Sequence, residues 1–171
     1  MRGNLSRKED VLLMEWQTHM LSGVVAGYMI TGGDWKGGLI GGIAGILPDL
    51  DEPKSKFGKI LIPVSLPLNQ LVGHRTLTHS LLFAIATGLS LSLFFNMNVG
   101  LAFAAGVLAH AAGDMLTGRV KLFYPFNLSV GMKVSPFVFF VNDRICRVAM
   151  VLMLLFFGWK DFTDYFLSLA N

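Results

Sequence analysis

Charged residues and cysteine are both scarce in this chain of 171 residues. Only 15% of the residues are charged, whereas a soluble domain usually carries about 25%, so an ordinary soluble domain is disfavoured. The single cysteine, Cys146, excludes an internal disulfide and any zinc site built on cysteine. Apolar sequence is abundant instead, with 53% hydrophobic residues and a mean hydropathy of +0.59. This composition predicts an all-α, polytopic helical membrane protein that forms one domain over residues 1–171.

Five apolar segments predict about four to five transmembrane helices. They cover residues 19–31, 37–47, 79–95, 99–115 and 145–169. The first two are shorter than the roughly 20 residues that a spanning helix needs. They are therefore expected to lie in a thinned bilayer, to reach only part-way, or to form a helical hairpin against the other helices. The G-x-x-x-G spacings, such as Gly23 with Gly27 and Gly37 with Gly41, predict close helix packing.

Two longer connections separate these segments. In residues 52–72, Pro63 and Pro67 disfavour one continuous helix, so we expect an interfacial or re-entrant piece. In residues 117–143, alternating apolar side chains around 120–126 and 132–140 predict a short hairpin over the site.

The first thirteen residues leave two interpretations open. Ser6 and Glu9 could form a capping box for a short interfacial helix, and no cleavable signal peptide is predicted. Alternatively, residues 1–13 are a non-native extension and translation starts at Met14, because residues 7–10 can be encoded by a sequence that resembles a bacterial ribosome-binding site.

The basic residues predict the orientation in the membrane. An even number of crossings separates the N-terminus, the 52–72 connection and the 117–143 connection, so all three fall on one side. That side holds 12 of the 14 Lys and Arg residues, and the other keeps Lys36 and Lys160. The positive-inside rule makes the rich side cytoplasmic.

All four histidines lie in short polar islands, at residues 18–19, 73–80 and 110–114, and the acids Asp49, Asp51 and Asp114 lie in residues 47–51 and in the last of these islands. The same count of crossings places every island at the basic membrane face. Imidazole and carboxylate are common metal ligands, and ionisable groups beside membrane helices are costly and usually functional. We therefore predict one shared metal site. Its candidate ligands are His19, Asp49, Asp51, His74, His79, His110 and Asp114.

The spacing of these residues suits a shared cation. His110 and Asp114 are four apart and project from one helix face. Asp49 and Asp51 follow the helix-ending Pro48, and two carboxylates two apart in an extended segment can bind one cation or bridge two. Arg75, beside His74, is suited to binding a phosphate or carboxylate through two nitrogens.

At these residues the chain resembles the YdjM family, inner-membrane proteins described as predicted membrane-bound metal-dependent hydrolases and tied in some bacteria to the SOS (LexA) response. The matching motifs run in order from His19 through 47–51, 73–80 and 110–117 to Pro125-Phe126. The resemblance implies a helical inner-membrane fold with the metal site facing the cytoplasm. Its His/Asp pattern is similar to that of zinc-dependent phospholipases C and related single-strand nucleases. Where relatives often carry Glu, this chain has Asp143.

Two functional hypotheses follow. In the first, the chain is a hydrolase that uses a divalent metal, with zinc expected, on a phosphoester such as a phospholipid. Arg75 would then hold the anionic group and Asp51 would act as general base. In the second, the metal or the His/Asp network is structural or handles ions or protons. Under either hypothesis, membrane lipids are the expected partners of the protein. The basic residues are spread without interleaved aromatics, so nucleic acid is not expected, and the sequence does not determine the oligomeric state.

Overall fold

The computed structural model describes residues 15–169, so both interpretations of residues 1–13 fall outside it. Seven α-helices, two short 3-10 helices and one two-stranded ribbon make up the described part of the chain. The helices are α1 Trp16–Ile30, α2 Trp35–Ala44, α3 Lys56–Ile60, α4 Ile62–Val72, α5 Leu81–Phe94, α6 Met97–Thr117 and α7 Pro136–Leu169. The 3-10 helices span Pro48–Asp51 and Leu77–His79, and the strands are β1 Arg119–Val120 and β2 Val130–Gly131. The all-α class is therefore confirmed.

Polar side chains define where four of the helices begin. Asp34, Ser55, Ser80 and Asn96 precede α2, α3, α5 and α6, and each accepts a hydrogen bond from a backbone N–H in the first turn. Such caps satisfy donors that have no partner inside the helix. α1 begins differently. The backbone N–H of Glu15 donates to the Asp143 carboxylate of α7, 3.2 Å away, so a distant helix supplies its cap.

The predicted hairpin of α1 and α2 forms through its glycines. Gly23 and Gly27 of α1 face Gly37 and Gly41 of α2, and a Cβ atom on Gly27 would lie 3.0 Å from the Cα atom of Gly41. Only a residue without a side chain permits this backbone approach. Gly106 brings α6 against the same turn of α2. α1 and α6, which carry three of the candidate ligands, are thus packed at short range against α2.

As predicted, residues 52–72 do not form one continuous helix. The interruption is confined to a single residue. α3 and α4 meet at Leu61, and Pro63 occupies the first turn of α4, where its missing N–H costs nothing. Pro67 lies inside α4. Of the two prolines, Pro63 therefore stands next to the interruption, and Pro67 is accommodated within a helix.

The connection 117–143 contains the predicted hairpin, although it is far shorter than expected. Only Arg119 with Gly131 and Val120 with Val130 pair as antiparallel strands. The region around 132–140 was predicted as its second strand. From Pro136 it is instead the start of α7, nine residues before the predicted helix start at 145. The ribbon packs beside the polar cluster, since Lys121 N donates to Arg75 O and Met132 N donates to Met115 O, each at 2.9 Å.

One helix within residues 15–169, α6, is long and apolar enough to cross a bilayer by length and composition, and α4 and α5 are shorter apolar helices. The expected four to five crossings therefore stay a prediction. The centre of the molecule is polar. Among the largest fully buried side chains are His19, His79 and His110, whereas the buried apolar cluster is built around Ala44, Ala84 and Val107.

Candidate metal centre

Two α-helices, two 3-10 helices and the loop after α4 bring the seven predicted ligands into one connected cluster. α1 contributes His19, and α6 contributes His110 and Asp114. The 3-10 helix after α2 contributes Asp49 and Asp51. His74 follows α4, and His79 ends the 3-10 helix that leads into α5.

Three side chains converge at the middle of the cluster. The Nε2 atoms of His79 and His110 lie 3.0 Å apart. Oδ2 of Asp114 lies 3.0 Å from Nε2 of His79 and 3.6 Å from Nε2 of His110. Oδ1 of Asp49 is 3.8 Å from Nε2 of His110. Two imidazole nitrogens and two carboxylates thus point toward one another in a space closed to solvent, since all four side chains are at most 5% exposed.

The outward nitrogens of both histidines already have acceptors. Nδ1 of His110 lies 2.7 Å from the carbonyl oxygen of Gly45, at the end of α2 where backbone carbonyls lack helical partners. Nδ1 of His79 lies 3.0 Å from Thr78 Oγ1, and the Thr78 hydroxyl in turn donates to Oδ2 of Asp51. A carbonyl can only accept, so in neutral His110 the proton sits on Nδ1. With the corresponding tautomer of His79, two Nε2 lone pairs face each other.

His19 covers one side of this centre. Its ring stacks on that of His110 with 3.7 Å between ring centroids, and its Nε2 lies 3.7 Å from Oδ1 of Asp114. Within residues 15–169, its buried Nδ1 has no hydrogen-bond partner. Buried polar atoms are nearly always hydrogen-bonded, so this imidazole is suited to binding an additional group.

The second carboxylate of the 3-10 turn lies on the other side of His79. Oδ1 of Asp51 is 2.6 Å from Nδ1 of His74, and Oδ2 is 3.3 Å from Nδ1 of His79. The backbone of Asp51 is held by Asn69 of α4, whose Nδ2 donates to its carbonyl oxygen at 2.7 Å. The backbone of Asp49 is held in the same way by the Ser55 hydroxyl at 2.8 Å.

Arg75 is bound to Asp114 through two nitrogens. Its NH2 and Nε atoms donate to Oδ1 and Oδ2 at 2.8 and 3.1 Å. Arg75 has a φ of 58°, an uncommon value for a residue other than glycine, and this backbone turn directs the side chain into the cluster. In this structure two guanidinium nitrogens of Arg75 already donate to Asp114. Binding of an anionic substrate by Arg75 therefore stays a prediction.

If all four imidazoles are neutral, the cluster carries more negative than positive charge. Asp49, Asp51 and Asp114 are buried, and Arg75, which contacts Asp114, is the one guanidinium that contacts any of the three among the described residues. Burial raises the pKa of the Asp49 carboxyl. Burial also raises the pKa of Asp51, but the hydrogen bonds of His74 and His79 outweigh it and hold that pKa below its ordinary value. Buried negative charge of this kind needs a nearby cation.

A proton on His79 is one way to supply that charge. Burial lowers the pKa of His79, but its contacts with Asp114 and Asp51 raise the pKa to about 9. A metal cation would compete with this proton, because a histidine ligand must be deprotonated. Three sets of side chains have ligand atoms within 4.8 Å of one another and could hold such an ion. They are His19 with His110 and Asp114, Asp49 with His79 and His110, and Asp51 with His74 and His79.

Two further residues support the site, and one of them, Thr78, was not identified from the sequence. Thr78 orients both Asp51 and His79, and no spacing pattern marks a threonine for this role. Asp143 does not belong to any of the three sets of side chains that could hold an ion. It accepts a hydrogen bond from Thr18 at 2.8 Å and pairs with Arg147 at 2.7 Å. It therefore fixes α1 one residue before His19.

The opposite end of the bundle also contains acids, and these have partners within the fold. Asp161 accepts hydrogen bonds from the Tyr28 hydroxyl at 2.8 and 2.9 Å and from Nε1 of Trp35 at 2.6 Å. Asp34 caps α2, and Asp164 pairs with Lys160 at 3.3 Å.

The fold and the buried cluster together define an all-α protein with a His/Asp site that could bind metal. The chain belongs to the YdjM inner membrane protein family, which matches residues 14–166. This membership places it in the bacterial inner membrane.

Individual relatives cover part of the chain. "Inner membrane protein YdjM" of Escherichia coli (strain K12) is 38% identical over 87 residues, 47% of this chain and 44% of the relative, and the protein of the same name from Shigella flexneri gives the same values. "Uncharacterized protein YvsG" of Bacillus subtilis (strain 168) is 29% identical over 92 residues, 53% of this chain and 58% of the relative. The chain thus spans about half the length of the curated relatives it matches. No solved structure matches it.

Proposed function

We propose that the chain is a membrane-embedded, metal-dependent hydrolase that acts on a phosphoester such as a phospholipid at the cytoplasmic membrane face. The observation that carries the proposal is the pair of Nε2 atoms 3.0 Å apart beside the Asp114 carboxylate. Both histidines have their other ring nitrogen paired with an acceptor. Histidines held this way by a carbonyl or carboxylate partner are typical of metal ligands.

The residues fit a divalent cation such as zinc. His79, His110 and Asp114 would hold it, with Asp49 and His19 completing the set, and imidazole nitrogen and carboxylate oxygen are the ligands that zinc takes when cysteine is absent. Three buried carboxylates and one guanidinium leave two negative charges, which one divalent ion neutralises. The bound metal would supply hydroxide near neutral pH by lowering the pKa of a water molecule to about 7.

The remaining residues position and protect this chemistry. Arg75 holds both oxygens of Asp114 and so fixes the direction of that carboxylate. Asp51 binds Thr78 and His74, and its carboxylate or the His74 imidazole is the candidate general base. Within residues 15–169, Nε2 of His74 is buried without a hydrogen-bond partner. His74 and Arg75 are the most exposed ionisable members of the cluster, each 14% exposed, so substrate is expected to enter past them.

The deciding experiment combines metal content with turnover. The purified chain in detergent is analysed for metals by mass spectrometry and assayed on phospholipids, together with His79→Ala and Asp114→Ala. We expect a stoichiometric divalent metal and phospholipid hydrolysis in the unaltered chain, and the loss of both in each variant. A preparation without metal, or one whose turnover survives both substitutions, would contradict the proposal.

A non-catalytic role remains the second candidate, because His74, Asp51, His79, His110 and Asp114 form a continuous chain of close polar contacts. Such chains can also hold a structural ion or carry protons. Stoichiometric metal without turnover on any phosphodiester would favour this reading. A metal-free cluster that shuttles protons would leave the bound-metal measurement at zero.

A further inference from the structure

A lateral groove lies directly beside the candidate metal centre. It is formed between α1, α6 and α7 and encloses about 310 Å³. Its wall includes Thr18, Ala109 and Gly113, which are the sequence neighbours of His19, His110 and Asp114. The groove therefore follows the faces of α1 and α6 next to those that carry the ligands.

Small side chains create the groove, and apolar ones line it. Ala26, Ala109, Ala112 and Gly113 leave the space open, and Met150 of α7 forms part of the opposite wall. The hydroxyl of Ser22 donates back to the carbonyl oxygen of His19 at 2.9 Å, so it offers little to a polar ligand. Ala112 is exposed, which places this side of the groove at the molecular surface. A molecule bound in this groove would therefore gain binding free energy by burying hydrocarbon rather than by forming hydrogen bonds.

The length of the groove identifies the occupant. Along α1 the lining runs from Thr18, beside the metal centre, to Met29. Eleven residues of α-helix rise about 16 Å, and one leaflet of a bilayer with a hydrocarbon core of about 30 Å is about 15 Å deep. The groove thus begins beside the polar cluster and is about as long as one leaflet is deep.

We propose that this groove binds one acyl chain of a membrane phospholipid of the leaflet next to the metal centre, with the lipid's phosphate end held at the centre. The groove would select a lipid over a water-soluble phosphoester, because only a lipid fills both the apolar groove and the polar cluster. The identity of the lipid as substrate rests on the proposed function, whereas binding of the chain does not.

A second apolar hollow provides a control. It encloses about 350 Å³ between α5 and α6 and is lined in part by Ala86 and Phe103. None of its lining residues adjoins a candidate ligand. Lipid that covers apolar surface non-specifically would treat the two hollows alike, whereas a substrate groove would not.

The chain carries its own probe for the test. Cys146, the single cysteine, lines the groove and is partly buried. The rate at which N-ethylmaleimide alkylates Cys146 is measured on the full chain in detergent, with increasing dioleoyl phosphatidylglycerol and, in parallel, with glycerol 3-phosphate. We expect phosphatidylglycerol to slow alkylation saturably, by about tenfold at ten times its dissociation constant, and glycerol 3-phosphate to leave the rate unchanged.

Two matched substitutions locate the effect. Ala112→Phe fills the groove, and Ala86→Phe fills the control hollow. We expect the ratio of the alkylation rate without lipid to the rate with lipid to fall to about one in Ala112→Phe and to stay near the unaltered value in Ala86→Phe. Ala109→Leu is a second groove-filling variant in case Ala112→Phe does not fold.

The outcomes separate this inference from the proposed function. Absence of saturable protection in the unaltered chain, or equal protection in both substituted forms, overturns the acyl-chain groove. Metal content and turnover are measured on the same preparations. Protection without metal or turnover supports the groove and contradicts the hydrolase, whereas hydrolysis of water-soluble phosphoesters without protection contradicts the groove alone.

Discussion

The two ends of the helical bundle each contain buried or half-buried carboxylates, but among residues 15–169 it is the end with the candidate ligands that holds buried histidine nitrogens without a hydrogen-bond partner. At the end opposite the ligands, Asp161 takes hydrogen bonds from Tyr28 and Trp35, and these contacts tie α7 to the hairpin of α1 and α2. At the candidate metal centre, two imidazole nitrogens face each other, and three buried carboxylates are accompanied by one guanidinium, which contacts Asp114. A carboxylate that accepts hydrogen bonds from neighbouring side chains stabilises the fold. A cluster of buried carboxylates with too little positive charge is instead suited to binding a cation.

The largest expected difference between the two ends is in metal binding. Asp114→Ala should abolish the stoichiometric metal, because Asp114 contacts His79, His110 and Arg75 at the middle of the cluster. Asp161→Ala, at the opposite end, should leave metal content unchanged. Metal is counted by mass spectrometry on both purified variants. Equal metal content in the two would remove the distinction between the ends.

Arg75→Lys tests whether the guanidinium acts by positioning Asp114. Lysine keeps the charge but cannot make the two parallel hydrogen bonds that Arg75 makes at 2.8 and 3.1 Å. We expect the metal affinity to fall by about 10- to 100-fold, as is usual when a residue supporting a ligand is changed. The measurement is competition with a chelator of known affinity. Unchanged affinity would show that charge alone is what the site requires.

Asp143→Asn addresses the link between α7 and the start of α1. The substitution keeps the size of the side chain but removes the charge that pairs with Arg147 at 2.7 Å and strengthens the cap on Glu15 N. We expect the free energy of unfolding to fall by about 1–3 kcal/mol, together with a smaller loss of metal affinity through His19. Thermal unfolding in detergent and chelator competition provide the two readings. A full loss of metal would instead make Asp143 a ligand.

The smallest effect is expected from Tyr28→Phe. This change removes only the hydroxyl that donates to Asp161 at 2.8 Å and leaves the ring stacked on Phe157. We expect a loss of about 1–2 kcal/mol in unfolding free energy, with metal content and turnover unchanged. Loss of activity without loss of stability would mean that the two ends are coupled through α1.

Much of the site could be predicted from the sequence, because each polar island stands at the end of an apolar segment. Counting the segments places His19, Asp49, His79 and Asp114 at one face, and the structure brings them together. Helical spacing likewise predicts that His110 and Asp114 share a face. The partner of Arg75 could not be predicted, because it depends on a backbone turn with a φ of 58° that no residue type in the sequence requires.

The bounds of α7 also show which features could be predicted from the sequence and which could not. Its apolar part, 145–169, is evident from composition, yet the helix begins at Pro136. The additional turns carry Asp143, which is stabilised by Thr18 and Glu15 of a segment 125 or more residues away. Long-range hydrogen bonds of this kind override the local pattern that predicted a strand at 132–140.

By itself the sequence determined the helical class, the family resemblance and the list of seven candidate ligands, because apolar segment length and residue chemistry are local properties. Only the tertiary structure decided which nitrogen of each histidine points inward, that Asp161 is a structural tie, and that an apolar groove runs beside the ligands. These features arise where separate helices meet. Their geometry is set by the packing of side chains that lie far apart in the chain.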